Sequence, residues 1–211
     1  GLTATQLGSL DSTQFELLTT TTIAGLTAAQ IAGLTSTQLN NLATTTVGAL
    51  TSTQVKGLTT TQVKALESAQ VAALSSTALT GFAATQIAAL STDSLIALDT
   101  TQSKALAATQ IAALTTTQIA ALESTDLADL TTTQLKALTA NQVKSLNSDS
   151  LAVLDTTQVQ ALSAVQIQAL TTTQLNNLGA ADIAELSTTQ VAGLSVTQIK
   201  GLNETAVAAL N

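Results

Sequence analysis

The sequence predicts an all-α solenoid, a superhelix of short capped helical segments with one segment per eight residues and about 3.5 segments per turn. Three observations carry this: an unbroken eight-residue period, a helix-starting signature at one place in the period, and a sorting of acids from lysines within it.

Leu stands at 2, 10, 18 and every eighth residue to Leu210, except that Phe82 takes its place once. Lettered a to h from Thr3, residues 3–210 make 26 octads, numbered here from 1, and Thr115 to Leu122 gives the consensus Thr-Thr-Thr-Gln-Ile-Ala-Ala-Leu. Position h is Leu in 25 octads, e is aliphatic or Phe in 25 with Ser103 the polar exception, and d is Gln in 18. Position a is Ser, Thr, Asp or Asn in 20, and g is Ala, Gly or Ser in 20.

One continuous helix does not fit. Eight residues at ~100° each turn the apolar stripe by roughly 80° per octad, so it faces no fixed partner. A β-solenoid is the competing architecture, but strands alternate with period two, whereas the large apolar residues here are spaced by five and three. A helix restarted in every octad accounts for each position. Residue a is the N-cap and d the third helical residue, so Thr-x-x-Gln reads as a capping box. The preceding Leu and position e, as in Leu114 and Ile119, then form a hydrophobic staple. A segment of about six residues cannot persist alone, so stability must come from stacking the e and h side chains of successive turns. A small residue at g lets neighbours approach.

Charge gives an independent reading, because helix N-termini favour anions and C-termini favour cations. All six lysines (Lys56, Lys64, Lys104, Lys136, Lys144, Lys200) lie at f, and ten of thirteen acids lie in a to d.

A longer rhythm overlies the octad. Octads without Gln at d begin at Thr19, Ala43, Ser75, Ser91, Glu123, Asn147, Gly179 and Asn203. Segments 56 residues apart echo each other, Glu67 to Leu74 with Glu123 to Leu130, and Ser91 to Leu98 with Asn147 to Leu154. Seven octads in two turns gives the 3.5 octads per turn, and places the Gln-free octads on one side of the solenoid.

Composition narrows the chemistry. With no His, Cys or Arg, imidazole and thiolate catalysis are closed, and the chain is read as no enzyme. A net charge of −7 opposes nucleic acid, and no run of about 18 apolar residues is present to enter a membrane. No cofactor is expected. The weak metal candidates are Asp93 and Asp99, repeated as Asp149 and Asp155, whose carboxylates suit calcium; as helix caps and N-terminal acids they have an ordinary explanation. Asp126 with Asp129, and Asp182 with Glu185, are acid pairs without any aromatic cleft. Rows of Thr at b and c would suit an ice-binding surface only if they projected outward in register.

The octad Thr59-Thr-Thr-Gln-Val-Lys-Ala-Leu66 resembles the Thr- and Gln-rich octapeptide arrays of very large bacterial exported or cell-surface, adhesin-like proteins. That resemblance covers the whole chain. It implies a non-catalytic structural role at the cell surface or outside the cell, as a stalk, spacer or filament shaft. It also implies self-association, end to end or side by side, and contact with a cell surface or polysaccharide. The alternative is a repetitive binding surface for calcium, carbohydrate or ice. Residues 1–211 are expected to form one continuous array and a piece of a longer one, since Gly1-Leu2 occupy g and h and Asn211 opens a new octad.

Overall fold

The computed structural model describes residues 1–210; Asn211, expected to open an octad, lies outside them. The described residues form 26 short helices, one per octad, from Ala4–Gly8 to Glu204–Ala209, and no strands. Each is four to six residues long, as Ser76–Leu79 and Thr172–Asn177 illustrate.

The backbone shows how each helix is stopped and restarted. Leu138 leaves the helical region at φ −61°, ψ 134°, and Thr139 follows in extended conformation at φ −73°, ψ 159°. Two such residues redirect the chain without a left-handed residue, and no described residue has positive φ. The caps follow the expected pattern. Gln142 N–H donates to Thr139 Oγ1 at 3.3 Å, while Thr139 N–H donates to Gln142 Oε1 at 2.7 Å. Where a is Ala, as at Ala83, the hydroxyl half is missing but Gln86 Oε1 still accepts from the Ala83 N–H at 2.6 Å. The six lysines fall in the last turns of their helices, where carbonyls point outward.

Two compact units divide the chain, residues 1–113 and 114–211. Within each, the helix of one octad packs on the helix three octads later, as Ala28–Ala32 does on Ser52–Gly57 and Ala140–Ser145 on Ala164–Ala169. The e and h side chains fill the interior of each unit; Ile23, Leu39 and Leu79 in the first and Leu127, Leu135 and Leu151 in the second are fully buried. Both phenylalanines are buried too, Phe15 at an e position and Phe82 at an h position. Ser103, the polar e residue, is half-buried.

Position g is small because a backbone passes beside it. A Cβ on Gly57 would lie 2.6 Å from the Ala28 carbonyl oxygen, and one on Gly33 would lie 2.6 Å from that of Ala4. In both cases g meets b of the octad three before. These approaches hold neighbouring turns at close helix-packing distance.

Candidate functional site: the glutamine ladder and its gaps

Gln at d does more than close a capping box. In the first unit, Gln54 Oε1 accepts from the Thr51 N–H at 2.9 Å, while Gln54 Nε2 donates to the carbonyls of Ile23, Ala24 and Leu26 at 3.1, 3.1 and 2.8 Å. In the second, Gln174 Nε2 donates to Val143, Lys144 and Leu146 at 3.3, 3.2 and 2.8 Å. The same contacts recur from Gln62, Gln70, Gln86, Gln190 and Gln198. Every one spans 28 to 31 residues.

A span of 28 residues is three and a half octads, so each unit winds with the expected pitch and position d sits over position h of the turn before. The carbonyls reached belong to the C-terminal end of a helix, which has no intrahelical donors to offer them. One side chain therefore caps the start of its own helix and the end of another. These glutamines are buried, Gln70 and Gln174 to 2% exposure. A buried carboxamide with all its hydrogen-bonding capacity engaged is a structural tie and has no free group for chemistry.

Between turns, b faces g of the octad three later, as Ala28 does Gly57 and Thr172 does Gly201, so the b side chains meet a small residue of the next turn.

The acidic candidates separate into two kinds. Asp99 and Asp155 are N-caps, accepting from the Gln102 and Gln158 N–H groups at 2.8 Å each. Asp93 and Asp149 lie in the first turns of their helices; Asp149 Oδ1 accepts from Asn177 Nδ2 at 3.2 Å. No three acidic side chains converge as a metal site would need among the described residues. Asp126 stands apart. Burial lifts its carboxyl above the ordinary aspartate range, the Glu123 and Asp129 charges add to this, and a hydrogen bond from the Glu123 N–H opposes it.

Clefts open where Gln is missing. In octad 19 position d is Ser150, whose hydroxyl reaches only the Leu122 carbonyl, at 3.5 Å, and beside it lies a cleft of about 370 Å³ lined by Leu122, Glu123, Asn147 and Asp149. In octad 6 it is Thr46, beside a cleft of about 190 Å³ against Phe15 and Leu18. A third cavity, about 400 Å³, lies among apolar side chains of the last octads, including Ile183, Val191 and Leu210.

Sequence reasoning found the capping half of the ladder and missed the turn-to-turn half. A usable signal was present. A capping box accepts Glu or Gln at its third residue, yet no octad has Glu at d, and an ionised Glu cannot donate.

The architecture defines a helical repeat protein. Residues 63–100 and 119–156 each match the family model of the ALTTAQ repeat. The two matches begin 56 residues apart, at 63 and 119, in register with the sequence echo. No curated protein matches the chain. No helix among the described residues is long and apolar enough to cross a membrane.

Proposed function

We propose that this chain is a non-catalytic structural repeat of a bacterial extracellular or cell-surface protein, serving as a stalk that spaces other domains or as the shaft of a filament. The observation that carries the reading is the assignment of the polar repeat positions. The a side chains cap helices, the d side chains tie turns together, and the f lysines sit at helix C-termini, so the repeated chemistry is committed to holding an extendable stack. Arrays of this kind grow by adding units that each bury their apolar face on the last. The resemblance to exported octapeptide arrays supports the extracellular placement, with self-association and contact to surface polysaccharide as its accompaniments. The reading assigns no cofactor.

Electron microscopy of the purified chain over a range of concentrations tests it. Particles of constant length at every concentration favour the stalk, and filaments that lengthen with concentration favour the shaft. A saturable small-molecule ligand with one site per few octads would instead favour the repetitive binding surface. Protease shaving of intact cells checks the location, and a chain protected until lysis would overturn it.

A further inference from the structure

We propose that the Gln-free octads of the second unit form an axial seam, poorly tied and acidic, along which the solenoid opens and which screening of its charge closes. This rests on the fold and not on the stalk reading.

Octads 16, 19, 23 and 26 begin at Glu123, Asn147, Gly179 and Asn203, separated by 3, 4 and 3 octads. With 3.5 octads per turn, alternating steps of three and four keep returning to one side of the unit. The members three octads apart touch: the helix Ser124–Asp129 packs on Ser148–Leu151, and Ala180–Ala184 packs on Glu204–Ala209. The first unit has a shorter file of the same kind in octads 3, 6 and 10; octad 12 falls two octads further on and so leaves it.

Along the seam the inter-turn donor is lost. Ser150 gives one long contact, Asp182 when ionised only accepts, and Ala206 offers nothing. Leu154 and Leu178 hold the h carbonyls that Gln would reach from octads 23 and 26, and no side chain donates to them among the described residues. Octad 16 keeps one buried tie, Gln158 Nε2 to the Ala128 and Leu130 carbonyls at 3.0 and 2.8 Å. The bonds that cross the turns at octads 19 and 23 are at or near the surface, among them Thr156 Oγ1 to Asp182 Oδ1 at 3.1 Å, Gln160 Nε2 to Glu185 Oε2 at 3.1 Å, and Asn177 Nδ2 to Asp149 Oδ1 at 3.2 Å. Solvent competes with such bonds far better than with a buried amide.

Charge loads the same side. Glu123, Asp126, Asp129, Asp149, Asp182, Glu185 and Glu204 all lie on these four octads, and Asp155 is the one remaining acid of the unit. Lys136, Lys144 and Lys200 are all on Gln-bearing octads. Asp126, Asp155 and Asp182 recur at intervals of 29 and 27 residues, close to one turn each, so like charges stack along the axis. Two gaps lie on the seam: the cleft of about 370 Å³ beside Ser150, and the cavity of about 400 Å³ that Ile183 and Leu186 line together with Ala209 and Leu210.

Hydrogen exchange read by mass spectrometry on the full chain tests this. At low salt, amides of octads 19 and 23 are expected to exchange roughly tenfold faster than those of octads 21 and 22, which share the core but keep Gln166 and Gln174. Ser150→Gln and Ala206→Gln, each checked for helical content by circular dichroism, should slow exchange at their own octads and leave octad 21 unchanged. Raising salt to about 0.5 M, where screening acts within a few ångström, should narrow the gap in the parent chain. Equal protection in both sets of octads overturns the proposal, as does a gap that neither the Gln variants nor salt reduces. If the variants act and salt does not, the seam's closure by charge screening is wrong.

Discussion

Octads 22 and 23 are neighbours in sequence and differ in what holds them. Both bury their e residue, Leu175 in one and Ile183 in the other, and both bury their h leucine. Gln174 binds three carbonyls of the preceding turn, whereas Asp182 in the same position accepts a single hydroxyl. Between these two octads the hydrophobic core is thus nearly the same while the polar tie to the preceding turn is not. Burial builds the stack, and position d decides how firmly each side of it is fastened.

Core truncation should be the largest effect and should ignore this difference. Ile167→Ala on a Gln-bearing octad and Leu151→Ala on a Gln-free one are each expected to cost about 2–5 kcal/mol in urea unfolding, because both side chains are fully buried. A much smaller cost at Leu151 would break the comparison by showing that the core itself is looser at the seam.

Removing a tie comes next. Gln174→Ala should cost about 2–3 kcal/mol, since it strands buried carbonyls and the Thr171 N–H. Gln166→Glu sharpens the point. It preserves the shape and the bond accepted from the Ser163 N–H at 2.8 Å, but when ionised it cannot donate to Leu135 and Leu138. Its loss should be about 1–3 kcal/mol at neutral pH and should shrink in acid as the carboxyl regains a proton. A loss independent of pH would mean that Nε2 contributes little.

A single cap is a smaller matter. Thr171→Ala should cost about 1 kcal/mol, seen as a shift in the unfolding midpoint. The smallest expected effect is at Asp126. A carboxyl raised by folding contributes stability that is complete below its unfolded pKa and is lost as pH rises through the folded one. Stability should therefore gain a little as the pH falls from neutral toward the aspartate range, and Asp126→Asn should remove that gain in paired pH titrations of unfolding.

Much of this was legible beforehand. Period, caps and charge sorting specify where each helix starts, because these are local contacts within one octad. The pitch was legible too, through echoes such as Glu67 to Leu74 with Glu123 to Leu130. The partners of Gln Nε2 were not, because they lie 28 to 31 residues away and are backbone carbonyls, which carry no residue identity for a pattern to reveal. The clefts beside Thr46 and Ser150 escaped for the same reason. An absent Gln is visible in sequence, but the space it leaves depends on the turn beneath.

The half-integral winding bears on how such a chain can be inherited. Copying in a single octad preserves the local fold but rotates everything after it by about 103°, carrying acids and gaps to another side. The shortest block that can be duplicated while every later residue keeps its bearing about the axis is seven octads, or 56 residues. The two ALTTAQ matches, which begin at 63 and 119, stand at that same interval of 56 residues.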